Sequence, residues 1–93
     1  MFKCVVQMFG LPREITSLRE VELELKDGAT LGDVIAALRH EIPSLEGPVI
    51  RHGENQLVEF YKFNVNGRFY FDDTGLKLHR GDRIALLTPA TGG

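Results

Sequence analysis

Apolar and charged residues alternate strictly along Val21-Glu22-Leu23-Glu24-Leu25-Lys26. Only a strand with one buried face gathers Val21, Leu23 and Leu25 on one side and leaves the charges in water. Residues 2–9 are rich in β-branched and aromatic types and predict a first strand. Gly10 and Pro12 punctuate it, and Asp27-Gly28 ends the second strand. The period then changes. Leu31, Val34, Ile35, Leu38 and Ile42 follow the i, i+3, i+4, i+7, i+11 spacing of a helix with one buried face. Thr30 is placed to cap that helix, with Asp33 in the position of a capping box. Asp33 near the start and Arg39 and His40 near the end suit the helix dipole. Pro43 cannot donate the next helical hydrogen bond and disfavours helix at Ile42.

Residues 44–59 carry Gly47, Pro48 and Gly53 among mixed charges and read as a long, mobile loop with at most a short helical turn. Residues 60–65 predict a third strand. Asn66-Gly67 is the strongest hairpin signal in the chain, because both residues tolerate the positive φ of a type I′ turn. Residues 68–71 return as its partner. Asp72-Asp73-Thr74-Gly75 turns again, Gly81-Asp82 precedes a last strand over 83–88, and Pro89 closes it. A mixed sheet folded over one amphipathic helix is the simplest two-layer solution for this order. The expected fold class is therefore α+β, with residues 1–88 as one domain and 89–93 as a tail.

Composition narrows the function classes. Ninety-three residues suit one domain, and 43% hydrophobic with 26% charged residues is ordinary for a soluble globular chain. A core of this size leaves little room for a deep substrate cleft. The net charge is −2, with lysine and arginine dispersed, so no nucleic-acid footprint is visible. No apolar run approaches the roughly 20 residues that span a bilayer, and residues 1–4 do not have a signal-peptide layout. One cysteine makes no internal disulfide, and a cytoplasmic location is expected.

The end of the chain holds the candidate chemistry. Pro89-Ala90-Thr91-Gly92-Gly93 is built from small residues beyond a proline that stops the last strand. Such a tail reaches at most about 20 Å beyond the fold and threads narrow channels, having almost no side chains. A carboxylate at Gly93 is a poor electrophile. Transfer to AMP gives it a leaving group that a sulfur nucleophile can displace, leaving a thiocarboxylate.

Val65-Asn66-Gly67-Arg68, Leu76-Lys77-Leu78, Gly81-Asp82-Arg83-Ile84-Ala85-Leu86-Leu87 and Pro89-Ala90-Thr91-Gly92-Gly93 together resemble the MoaD/ThiS family of ubiquitin-like sulfur carriers. Phe9, Arg13-Glu14-Ile15 and the helix are compatible with it. The resemblance implies a β-grasp fold of about five strands. It implies adenylation of Gly93 by a ubiquitin-activating-like adenylyltransferase that uses ATP and magnesium, with no cofactor bound by the chain itself. A sulfur donor then loads Gly93, and the thiocarboxylate is spent on molybdopterin, on the thiazole of thiamine, or on another acceptor. The ending resembles molybdopterin-synthase small subunits, which commonly carry Pro-Pro before the tail. Thr88 stands at the first of those positions. The large subunit of such a synthase is then a further partner, and no nucleic acid or membrane is expected. Thiamine carriers are generally shorter and usually lack a proline at position 89.

By alternation Ala85 and Leu87 face away from the helix, and in the family an apolar residue at position 87 packs into the partner. Cys4 reads as a small buried strand residue rather than a nucleophile or sulfur relay. His40, His52 and His79 fit no familiar metal-ligand spacing. Asp72 and Asp73 have nothing apolar around them to make an acid/base pair, and Glu20, Glu22 and Glu24 form a solvated strand face. The chain has no phosphate loop and no nucleophile–base pair at a recognisable spacing, so it is not read as an enzyme. Two alternatives to the sulfur carrier stand: a ubiquitin-like modifier that joins Gly93 to target lysines, and a β-grasp interaction domain with an inert tail.

Overall fold

The computed structural model describes residues 1–70 and 73–88. The expected return strand through Phe71, the turn residue Asp72 and the whole 89–93 tail therefore lie wholly or partly outside the described residues. The chain runs β1 (Phe2–Met8), α1 (Leu11–Thr16), β2 (Glu20–Leu25), α2 (Leu31–Glu41), a 3-10 turn (Pro43–Leu45), β3 (Lys62–Val65), β4 (Arg68–Tyr70) and β5 (Arg83–Leu87). The strands form one mixed sheet in the order β2-β1-β5-β3-β4. Only β1 and β5 run parallel, and the other neighbours are antiparallel. This is the expected β-grasp, with α2 as its main helix.

Strand alternation sorts the core. Cys4, Val6, Met8, Leu23, Leu25, Phe63, Val65, Ile84 and Leu86 are all buried, together with Leu31, Val34, Ile35 and Leu38 of α2. The α2 N-terminus closes by a complete capping box. The Asp33 N–H donates to Thr30 Oγ1 at 3.3 Å and the Thr30 N–H donates to Asp33 Oδ2 at 2.9 Å. The shorter Asp therefore serves where Glu or Gln is usual. The next two orphan donors, Leu31 and Gly32, reach the carbonyls of Leu76 and Thr74.

Two expectations need correction. Gly10 and Pro12 do not merely punctuate: they open α1. Pro12 lies in the first helical turn, where its missing N–H has no partner to lose. The first half of segment 44–59 is anchored in the core, while residues 51–56 lie exposed. Leu45, Val49 and Ile50 are fully buried, and the Leu45 carbonyl accepts from the N–H groups of both Val49 and Ile50. Apolar residues one helical turn apart, hidden among Gly, Pro and charges, supply that anchor. The boundaries also shift slightly. β3 starts at Lys62 instead of Phe60, and β5 ends at Leu87 instead of Thr88. The Asn66-Gly67 turn has φ of 52° and 90°, as a type I′ hairpin requires.

Candidate functional site

The strand that leads into the tail lies in the middle of the sheet. β5 pairs with β1 through Met8↔Leu86 and with β3 through Lys62↔Leu87. Its start is held by a polar clasp. Asn66 donates from Nδ2 to Asp82 Oδ1 and accepts the Arg83 N–H on its Oδ1, both at 2.9 Å. Asp82 also accepts the His79 N–H at 2.7 Å. The Gly81-Asp82 turn thus fixes where β5 begins, and with it where Leu87 ends up.

At the far end, Phe9 donates its N–H to the Leu86 carbonyl at 3.0 Å. Thr88 Oγ1 accepts the N–H of Leu11, the first residue of α1, also at 3.0 Å. Gly10 has φ of 65°, and a Cβ there would run into Thr88 Oγ1. The root of the tail is therefore tied to the β1–α1 junction by a hydroxyl. A proline at position 88 would have no group to make that bond.

Ile84 and Leu86 are buried, and Ala85 and Leu87 are half-buried on the opposite face, as alternation requires. By register this outer face carries Glu20, Glu22 and Glu24 on β2, then Lys3, Val5 and Gln7 on β1. Arg83, Ala85 and Leu87 follow on β5, Lys62 and Asn64 on β3, and Phe69 on β4. Charge thins across it towards the strand that bears the tail. Phe9, the residue after β1, is bonded through its N–H to the Leu86 carbonyl and so lies at the end of β5. Phe9 is 45% exposed and Phe69 54%, with the Lys62 ammonium 4.9 Å from the Phe69 ring centroid. Sequence reasoning named Ala85 and Leu87 but missed these two aromatics. The signal was there, since each directly follows or faces a position of known orientation.

The remaining candidates do not assemble. His40, His52 and His79 are well exposed, and no group of three or more His, Cys, Asp or Glu that could hold a metal exists among the described residues. Asp73 is exposed, and Glu20, Glu22 and Glu24 face water as expected. Cys4 is buried. Burial, and secondarily the negative charge of Asp82, push its thiol up to about 11, the reverse of what a nucleophile needs. Among the described residues no helix is long and apolar enough to cross a membrane.

The model of the ThiS family matches residues 6–93, nearly the whole chain and all of the tail. The chain belongs to the ThiS family. Like its relatives in that family it is a small ubiquitin-like carrier or modifier protein. It is 31% identical over 90 residues to small archaeal modifier protein 3 of Haloferax volcanii, covering 95% of this chain and 96% of that one. The crystal structure of small archaeal modifier protein 1 from the same organism superposes with a TM-score of 0.83 at 27% identity, over 98% of this chain and 99% of that one. A Pyrococcus furiosus structure described as a putative molybdopterin converting factor subunit 1 has a TM-score of 0.74 at 23% identity. It covers 97% of this chain and 100% of that one, and at that identity the likeness speaks for the fold alone.

Proposed function

We propose that this ThiS-family protein is a sulfur carrier whose reacting group is the carboxylate of Gly93. A carboxylate oxygen attacks the α-phosphate of ATP in the active site of a ubiquitin-activating-like adenylyltransferase, and pyrophosphate leaves with magnesium. A sulfur nucleophile from a donor then attacks the carbonyl carbon, and AMP leaves with its oxygen. The resulting thiocarboxylate delivers sulfur to an acceptor, with molybdopterin favoured by the Pro89-Ala90-Thr91-Gly92-Gly93 ending and a synthase large subunit as the receiving partner. The chain supplies the group, and the partners supply the catalysis.

The observation that carries this reading is that the family match runs through Gly92-Gly93 to residue 93, beyond a central strand whose own end is anchored. The outer face at Leu87, Phe9 and Phe69 offers the exposed apolar area a docking protein uses. One finding favours a second use of the same activated end. The 31% identical relative is named a modifier, which supports isopeptide formation with target lysines.

The test is intact mass after incubation with ATP, magnesium, the adenylyltransferase of the same source and a sulfide donor. A shift equal to the exchange of one oxygen for sulfur is expected, and it disappears when Gly93 is deleted or residues are appended to it. High-mass conjugates that depend on Gly93, without that shift, would favour the modifier. No shift and no conjugates, with the enzyme active on another carrier, would leave an interaction domain as the better account.

A further inference from the structure

Phe60 stands against both its backbone and its solvent. It is the third residue of a four-residue turn closed by the Tyr61 N–H donating to the Val58 carbonyl at 3.2 Å. Its φ is 80°, a conformation in which glycine or asparagine is ordinary at that turn position and a bulky aromatic is an outlier. At Asn66-Gly67 the chain supplies suitable residues for such geometry, and the other positive-φ side chain, Ser17, is small. The side chain is also 71% exposed, more than any other large apolar side chain among the described residues. Burial therefore does not offset the strain. Strained, exposed aromatics of this kind belong to contacts made with something else.

Position says what that partner is. Phe60 lies two residues before Lys62, whose partner across the sheet is Leu87. β3 thus begins at the end of the sheet where β5 gives way to the tail. The five residues from Pro89 to Gly93 span at most about 18 Å. A protein that reacts with Gly93 must therefore bring its surface over this end of the sheet. Phe60 also rims an open hollow of about 310 Å³ walled in part by Leu57 and Tyr61, with room for a side chain of that protein.

We propose that Phe60 is the anchor by which the enzyme acting on Gly93 grips this protein: its ring enters an apolar recess beside the channel that admits the tail. The inference rests on the activation of Gly93 argued above. A side chain with only two rotatable bonds, held outward by a fixed turn, loses little freedom on docking, which is what an anchoring aromatic requires.

The experiment compares the full chain with Phe60→Gly and Phe60→Asn, both of which accept the positive φ. Each is titrated with the ubiquitin-activating-like adenylyltransferase in ATP and magnesium. Affinity is read by calorimetry, pyrophosphate release gives kcat and KM, and circular dichroism gives the unfolding midpoint. Expected are a rise of about tenfold or more in Kd and KM, an unchanged kcat, and a midpoint equal to or above that of the parent. If the parent is activated and both variants bind within about twofold of it, Phe60 is not the anchor while activation stands. A midpoint lowered in both variants would make the ring structural and overturn the proposal. If the parent itself is neither bound nor adenylated, the activation reading fails and the anchor loses its occupant with it.

Discussion

The two faces of the sheet are made by the same strands and obey opposite rules. On the helix side, Val6, Met8, Ile84 and Leu86 are each at most 1% exposed, and Val21, Phe63 and Val65, which face three of them across the sheet, are apolar too. On the other side, acidic β2 shades through mixed β1 to Ala85, Leu87 and Phe9, with Phe69 beyond Lys62 and Asn64 of β3. The first face is chosen for packing, so its residues are interchangeable only by volume. The second is left uncovered, and its residues are free to vary unless something docks there. Stability should therefore track the inner face and activation the outer one.

Adjacent Leu86 and Leu87 give the sharpest way to break that contrast. Leu86→Ala empties a fully buried site and should cost about 2–5 kcal/mol in urea unfolding. Leu87→Glu should cost less than about 1 kcal/mol and keep the circular dichroism spectrum, while weakening adenylation of Gly93. Comparable losses of stability at both positions would place Leu87 in the core and dissolve the distinction.

Cys4 tests the inner face with a smaller effect. Its thiol is raised from 9.0 to about 11 in the fold. Between about pH 9 and pH 11 the unfolded chain releases this proton while the folded chain keeps it. Stability is fully present below pH 9 and lost as pH rises through that window, by about 3 kcal/mol in all. The slope should become shallower in Cys4→Ala, leaving the part due to Tyr61, whose hydroxyl is also pushed up by burial, and the baseline stability of the variant will differ for reasons of volume. A thiol reagent should label the native protein slowly and the unfolded protein at once. Fast native labelling near neutral pH would show an accessible thiolate and reopen the relay role set aside above.

Periodicity explains why so much of this was legible before any coordinates. Val21 to Leu25 alternates with period two, Leu31 to Leu38 repeats with helical spacing, and Asn66-Gly67 demands its own turn. Those local signals coincide with burial, so β1, β2, α2, the hairpin and β5 fall where they were expected. α1 escaped because it is a single short turn, and Pro12 hides in the part of a helix that tolerates proline. Leu45, Val49 and Ile50 escaped because three apolar residues in a Gly- and Pro-rich stretch are too few to establish a period, and only tertiary contact reveals them as core. At the candidate site, the orientation of Leu87 followed from alternation. The contribution of Phe60 could not, because its meaning lies in a φ angle that no side-chain pattern encodes.

Thr88 stands where the two faces meet, and it should give the smallest of these effects. Its hydroxyl accepts the Leu11 N–H at the point where the chain leaves β5. That N–H lies at the surface, so water replaces much of what Thr88→Val removes. The expected loss is about 0.5–1 kcal/mol, below the cost of a buried donor left without a partner. Thr88→Ser keeps the acceptor and should recover most of it. Adenylation of Gly93 separates a bond that only closes the fold from one that aims the tail. If the latch merely closes the fold, saturating enzyme restores the parent's kcat in Thr88→Val. If it aims the tail, kcat falls in Thr88→Val, returns in Thr88→Ser, and the fall exceeds what the small change in folding could produce. A valine variant indistinguishable from the parent in stability and kcat would mean that Gly10, with no Cβ to displace the strand end, suffices to set the direction of the tail.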